Sequence, residues 1–442
     1  MAIKVGFVSL GCPKNLINTE VMLSKLANAG FEIVAEDIEA DVIVINTCAF
    51  IQSAKQESID NILDIAWLKS NYTLKGIVVC GCLAERYKEK IFDELPEVDA
   101  VIGTGSYDEI VEAVNSAFAK KRFSDFGNVN ICKFGGERVV TTPEHFAYLQ
   151  IAEGCDNHCT YCVIPSIRGK FRSREISAIV DEAKNLAELG VKEICLIAQD
   201  TTRYGEDLYG TYALDSLINE ISKIDGIKWI RLLYCYPDRI TDGLINEIAN
   251  NEKVVKYIDM PIQHISTSIL KSMNRRDTEE SIKAIISKIR SKIPNVILRT
   301  TLITGFPGET EEDFTKMLDF VKETKFERLG VFEYSREEDT AAYDMPNQID
   351  EKIKHNRYGI IMREQQLIHK KNNLKSVGIA YTIICEGYDK VAECFYGRSY
   401  ADAPDIDGKV YFQSSKNIKD GNFVMVRIDK IVDYDLFGTA IF

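Results

Sequence analysis

The chain has 442 residues, 45% of them hydrophobic and 27% charged, enough for about three domains and for a sizeable core without disulfide staples. It contains no run of about 18 uncharged apolar residues and no basic-then-apolar signal at MAIKVGFVSLGC, so a cytoplasmic protein with no membrane span is expected. The net charge of −13 is the wrong sign for a non-specific nucleic-acid binder and leans toward a basic partner.

The first stretch alternates strand and helix patterns. IKVGFVSL (Ile3 to Leu10), DVIVINTC (Asp41 to Cys48), GIVVCGC (Gly76 to Cys82) and DAVIGTG (Asp99 to Gly105) are apolar runs, and TEVMLSKLANAG is an amphipathic helix that stops at Gly30. Buried strands separated by helices predict an α/β domain with a parallel sheet over 1–120. Residues 121–140 lose this periodicity and read as a linker. The alternation resumes over 141–372 with KEICLIAQD, IKWIRLLYCYP, KYIDMPIQH, NVILRTTLITGF and RLGVFEYS. That many units suit a partial or full α/β barrel, whose active site lies at the strand C-terminal ends. Over 373–442 short alternating runs (YTIICEGY, KVYFQSS, GNFVMVRIDKIV, LFGTAIF) predict a small, OB-like β-barrel.

Twelve cysteines in a reducing compartment point to metal binding or catalysis rather than disulfides. The strongest pattern is GCDNHCTYC, which spaces Cys155, Cys159 and Cys162 as C-x3-C-x2-C. Soft thiolates select iron–sulfur clusters, zinc or cuprous copper. A four-iron cluster usually takes four cysteines, so three on one loop leave an iron open to an outside ligand such as S-adenosylmethionine (SAM). The competing reading is a structural zinc site completed by His158 or His145, although zinc sites usually pair two dyads far apart in sequence. Cys12, Cys48 and Cys82 each follow an apolar strand directly, and in an open parallel sheet such exits share one edge. Position alone leaves this trio open between core cysteines and a second metal centre. Cys80, Cys132, Cys195, Cys235, Cys385 and Cys394 have no partner pattern and read as small core residues.

The cysteine spacing, with the aromatic Tyr161 before the last thiol, resembles the radical SAM superfamily. SLGCPKN, NTCAF and CGCLAER resemble the three ligand motifs of the methylthiotransferase family within it, and the domain order agrees over essentially the whole chain. The resemblance implies an N-terminal cluster-binding domain, a radical SAM core and a C-terminal TRAM β-barrel that recognises substrate. It implies two 4Fe-4S clusters, one on Cys12, Cys48 and Cys82 and one on Cys155, Cys159 and Cys162. Each keeps an open iron, and SAM supplies both a methyl group and a 5′-deoxyadenosyl radical. The backbone at Tyr161 is expected near the adenine, and no catalytic residue is assigned beyond the cluster ligands.

Further SAM contacts are expected at Gln199, Arg299, Gly305 and Gly308. TGFPGETEEDF reads both as a barrel-mouth loop and as a strand-to-helix turn capped by Thr310. Gln199 and Asp200 either reach cofactor or form a satisfied loop pair. His264 reads as hydrogen-bonding structure rather than catalysis. Arg299, inside an apolar strand, needs a carboxylate, expected from SAM or from Glu333.

The family divides into enzymes for tRNA adenosines and enzymes for an aspartate β-carbon in the twelfth protein of the small ribosomal subunit. CPKN, AQDTTRYG, MPIQHIS and GRSYADAPDIDG resemble the second branch. Residues 373–442 carry 8 Lys and Arg against 10 Asp and Glu, which disfavours an RNA-gripping barrel, and YADAPDIDGK is expected to form an acidic patch for a basic ribosomal protein. The expected partners are that protein, or the ribosome carrying it, and a low-potential electron donor such as flavodoxin or ferredoxin. A tRNA methylthiotransferase is the alternative, and a non-catalytic iron–sulfur carrier is the alternative of another class.

Overall fold

The structure is a computed structural model that describes residues 2–131 and 134–442; Cys132 lies outside the described residues. The chain divides into two compact units. One comprises Met1–Thr141, Ala152–Ser173 and Ser335–Tyr343, the other Thr142–Ile151, Arg174–Tyr334 and Asp344–Phe442.

In the first unit the strands β1 (Lys4–Ser9), β2 (Glu32–Ile33), β3 (Val42–Thr47), β4 (Gly76–Gly81), β5 (Ala100–Ile102) and β6 (Phe123–Asp125) alternate with helices. The helices are α1 (Pro13–Asn28), α2 (Gln52–Asn71), α3 (Cys82–Tyr87), α4 (Lys90–Glu94) and α5 (Ile110–Phe118). The sheet order is β2-β1-β3-β4-β5-β6, and every pair is parallel. β3 and β4 are buried along their whole length, as expected of central parallel strands covered by helices on both faces, which read as near-continuous apolar runs. Ile43, Ile45, Ile77 and Val79 pack one face against α2, α3 and α4, while Val42, Val44, Val78 and Ile102 pack the other against α1 and α5. The edge strands β2 and β6, of two and three residues, are too short for a period to register in sequence. β6 falls inside the stretch expected as a linker. The segment 152–173 adds an antiparallel ribbon, β8 (Ala152–Glu153) with β9 (Arg172–Ser173), and the helix α6 (Ile164–Arg168).

The second unit places β7 (Phe146–Gln150), β10 (Glu193–Ile197), β11 (Trp229–Leu232), β12 (Val254–Asp259), β13 (Ile297–Thr304) and β14 (Arg328–Glu333) side by side in chain order. All five pairs are parallel. The sheet stays open, so the α/β barrel is a partial one. Its connections hold α7 (Ile176–Glu188), α8 (Glu206–Tyr209), α9 (Leu214–Ser222), α10 (Asp242–Asn250), α11 (Thr267–Ser272), α12 (Glu279–Lys292) and α13 (Glu311–Thr324), and α14 (Glu351–Leu374) follows. Thr310 caps α13 as expected, in a reciprocal capping box with Asp313. Among the described residues no helix is long and apolar enough to cross a membrane.

The same unit ends in a closed five-stranded barrel, β15 (Ala380–Asp389), β16 (Cys394–Arg398), β17 (Val410–Gln413), β18 (Phe423–Val432) and β19 (Asp435–Ile441). Ile383, Cys385, Phe412, Val424, Val426 and Ile428 fill it. β16 is not evident from sequence because Gly397 interrupts the alternation; a Cβ there would lie 2.0 Å from the Ile384 carbonyl oxygen.

The acidic loop 399–407 corrects the expectation of a surface patch. Asp402 accepts from Arg328 at 2.6 Å and from the Ser399 hydroxyl at 2.7 Å, and Asp407 accepts from the Tyr257 hydroxyl at 2.7 Å. These carboxylates are spent on strands of the open sheet. Beside them Glu193, fully buried, takes Arg231 at 2.7 Å and Arg398 at 2.6 Å. Arg398 also reaches Glu386 at 2.6 Å. Buried arginines need such partners, and composition could not tell a consumed carboxylate from a free one.

Candidate functional site

Cys12, Cys48 and Cys82 leave β1, β3 and β4, three consecutive neighbours in the first sheet. Close backbone contacts draw the exits together. Gly11 has φ +90°, and a Cβ on it would stand 2.8 Å from Cys48 Cβ and 3.0 Å from its sulfur. Gly81 has φ +91°, with Asn46 Oδ1 2.3 Å from where its Cβ would lie. That left-handed turn breaks the two-residue alternation. Cys80 therefore stays in the α1/α5 core while Cys82 joins the opposite face and opens α3. Asn15 Nδ2 donates to the carbonyls of Leu10 at 3.0 Å and Thr47 at 2.9 Å, and Asn46 Nδ2 donates to Asn15 O at 2.8 Å. Ser58 holds Cys48 at both its amide and its carbonyl. Cys12 is the N-cap residue of the 16-residue α1, where the helix dipole favours negative charge.

Cys48 and Cys82 are buried, with 8% and 7% of their surface exposed. Burial pushes the Cys48 thiol up to about 12, and the nearby Cys82 and Cys12 add to the rise. Burial raises Cys82 as well, against the pull of Arg168. The three thiols thus sit within electrostatic reach of one another, and none is in a disulfide.

Cys155, Cys159 and Cys162 lie on the loop between β8 and α6. Cys155 N donates to Gly169 O at 3.0 Å and Cys162 N to Cys159 O at 3.0 Å. Ala342 N donates to Thr160 O at 2.8 Å, which fastens the loop tip to the 335–343 segment. Burial raises the Cys162 thiol, and Cys159 and then Cys155 reinforce it. Tyr161 is half-buried beside them. Among the described residues no three His, Cys, Asp or Glu side chains close on one ion-sized point; thiolates that share a four-iron cluster bind different irons and stand further apart than ligands of a single ion. Of the zinc alternative's fourth ligands, His158 is exposed and His145 is engaged by Glu386 at 3.2 Å. Two sets of three soft donors outside any disulfide fit the three-thiolate ligation of a four-iron cluster with an open iron.

The other expected residues lie in the second unit. Asp200 is a satisfied loop carboxylate, bonded to Arg239 at 2.7 Å and Thr202 at 2.7 Å, while Gln199 beside it is half-buried. His264 is fully buried; its Nδ1 accepts from Ser266 N at 2.9 Å and its Nε2 lies 3.4 Å from Glu309. Glu309 also takes Gly305 N at 3.0 Å and Arg357 at 2.6 Å, so His264 belongs to the scaffold of the TGFPGE loop. A Cβ on Gly305 would meet Lys354 Cγ at 2.2 Å, so packing already requires that glycine, whereas Gly308 is exposed. Arg299 finds its carboxylate in Asp259 at 2.8 Å, not in Glu333, which bonds His355. Asp259 sits opposite it on the neighbouring strand. Burial disfavours the Arg299 charge, and Asp259 with Tyr257 and Asp407 more than compensates.

Sequence reasoning missed Arg168, which reaches Cys82 and Asn15, and its partners Asn18 and Glu153. The one signal was a charged residue inside the otherwise uncharged VIPSIRG directly after the cysteine motif.

Three family descriptions match the chain: Uncharacterized protein family UPF0004 over residues 4–103, the Radical SAM superfamily over 149–321 and the TRAM domain over 377–441. A protein of Acetivibrio thermocellus named "Ribosomal protein uS12 methylthiotransferase RimO" is 50% identical, covering 99% of this chain and 98% of that relative. Proteins of the same name from Clostridium botulinum, strain Eklund 17B, and Geobacter sulfurreducens are 51% and 50% identical, each over 99% of this chain and 98% of the relative. Among solved structures, the radical S-adenosylmethionine methyltransferase TsrM of Kitasatospora setae superimposes with TM-score 0.54 at 14% identity, over 75% of each chain. That likeness speaks to the fold.

Proposed function

The chain belongs to the RimO family of ribosomal protein uS12 methylthiotransferases, and from that membership we propose that it adds a methylthio group to the β-carbon of an aspartate of uS12. It is a radical SAM transferase, and the superfamily implies one 4Fe-4S cluster and SAM. The finer reading places that cluster on Cys155, Cys159 and Cys162 and a second one on Cys12, Cys48 and Cys82. The observation that carries the second centre is the convergence of three free thiols at adjacent strand exits, with Gly11 pressed against the Cys48 sulfur.

When bound, the two clusters and SAM supply the carbon radical, the sulfur and the methyl group, chemistry that acid and base side chains cannot provide. The chain's own part is to offer three thiolates per centre, keep a fourth position free and hold the loops rigid. Asn15, Asn46 and Ser58 fix the exits around the first trio, and the amides of Cys155 and Cys162 are committed to Gly169 and Cys159. The proposed SAM contacts are Tyr161, Gln199 and the backbone at Gly305 and Gly308. Arg299, engaged by Asp259, is left out of that set. We assign 1–120 to the cluster-binding domain, 121–140 to a linker, 141–372 to the radical SAM core and 373–442 to substrate recognition. uS12, free or on the ribosome, is the partner, and a flavodoxin or ferredoxin class protein is the electron donor. With Asp402 and Asp407 consumed internally, the protein substrate rests on the named relatives and not on barrel charge.

The test separates the two trios. Cys155→Ala should make no 5′-deoxyadenosine from SAM. Cys48→Ala should still make it, yet put no methylthio group on a uS12 peptide. Methylthio product from Cys48→Ala would refute the second assignment.

A further inference from the structure

Arg168 ends α6, six residues after Cys162, and is only 3% exposed. Its Nη2 lies 3.4 Å from Cys82 Sγ and also bonds Asn15 Oδ1. Its Nη1 donates to Asn18 Oδ1 at 2.7 Å and to Glu153 Oε2 at 3.3 Å. Glu153, 4% exposed, stands two residues before Cys155 and accepts from Gly154 N at 3.1 Å. One guanidinium therefore joins a sulfur of the first trio to the segment that carries the second, within a single unit. Guanidinium stays charged at every working pH, and a buried charge persists only where it is paired. Here an opposing charge is Glu153, which takes the other arm of the guanidinium from the one that meets Cys82. At Cys82 the two act in opposite senses, Arg168 favouring negative charge and Glu153 opposing it.

We propose that Arg168 is a positioning residue that sets the reduction potential of the Cys12/Cys48/Cys82 centre, with Glu153 as the counterweight that limits it. The inference rests on the reading that this trio holds a cluster. Reduction adds one electron to the cluster and no proton, so the reduced centre is one unit more negative. A fixed cation at a ligand sulfur stabilises that state and raises the potential; a carboxylate behind the cation lowers it. Hydrogen bonding and charge at ligand sulfurs are general determinants of cluster potential. Asn15 and Asn18 hold the guanidinium fork in the plane that lets one arm face sulfur and the other face carboxylate.

The experiment uses the full chain with Cys155, Cys159 and Cys162 changed to alanine, reconstituted anaerobically with iron and sulfide. Dithionite titration followed by electron paramagnetic resonance reads the midpoint of the remaining centre. Arg168→Met should favour the oxidised state at least tenfold, a downward shift of about 59 mV or more for a one-electron couple. Glu153→Gln should shift it upward, and Arg168→Lys, which keeps the charge, should fall between wild type and Arg168→Met. Opposite shifts from two neighbouring substitutions cannot come from general loosening of the site. If Arg168→Met takes up no cluster, Glu153→Gln decides alone. Unmoved midpoints, or shifts of the same sign, would overturn the proposal while leaving the cluster assignment standing. A parent protein that binds no iron would overturn both.

Discussion

Replacing Arg398 by methionine tests the joint between the small barrel and the open sheet. Arg398 is 2% exposed and donates to Glu193 at 2.6 Å, to Glu386 at 2.6 Å and to the Asp402 carbonyl at 3.1 Å. Methionine preserves most of the stem's volume and removes the charge. Glu193, fully buried, would keep only Arg231, and Glu386 only His145. Breaking one partner of a buried pair costs about 3–5 kcal/mol; the surviving partners place this case near 3. For a unit of this size that lowers Tm by roughly 6 °C. The pH dependence sharpens the test. Burial alone would raise the Glu193 carboxyl, but Arg398 and Arg231 outweigh it and hold its pKa down at about 2 against an ordinary 4.5. Its contribution is therefore complete above about pH 4.5 and lost as pH falls toward 2. In Arg398→Met the folded-state carboxyl moves back up toward its ordinary value, so this acid-side loss should shrink. Differential scanning calorimetry from pH 3 to 7 reads both effects, and Glu193→Gln combined with Arg398→Met should recover part of the stability. A Tm unchanged across that range would refute the buried network as the joint.

Three further outcomes follow from the site. Gly11→Ala forces a Cβ against Cys48 at φ +90°, a strain of about 1–3 kcal/mol; iron bound per chain should fall, and full loading at unchanged Tm would contradict the close approach. Because the Cys48 thiol is raised to about 12, it must lose a proton to bind iron. Iron and sulfide uptake should rise from pH 7 to 9, and the metal-free protein should lose stability as pH climbs past the ordinary thiol value of 9.0 toward 12; pH-independent uptake would argue against these thiols as ligands. Arg299→Met strips Asp259 of its cation and should lower Tm while leaving the SAM dissociation constant unchanged. Weaker SAM binding at constant Tm would return Arg299 to the cofactor.

The long buried strands were legible because β3 and β4 carry the apolar runs Val42–Ile45 and Ile77–Cys80, and Cys48 and Cys82 follow them directly. The short edges β2 and β6 left no period, and Gly397 hid β16. Charge was the poorer guide. Asp402 and Asp407 read as a surface patch, yet they answer Arg328 and Tyr257, residues more than a hundred positions away for Tyr257 and over seventy for Arg328. Arg299 was correctly expected to need a carboxylate, but which one depended on the register between β12 and β13. Arg168 went unnoticed for the same reason: its meaning lies in Asn15, Asn18 and Cys82, which only folding brings to it.

The most direct test of the central claim is peptide mass spectrometry of uS12 from cells with and without this gene. A methylthio group on one aspartate peptide, present with the gene and lost without it, is the predicted result. An unchanged uS12, with a methylthio nucleoside missing from digested tRNA instead, would contradict the account.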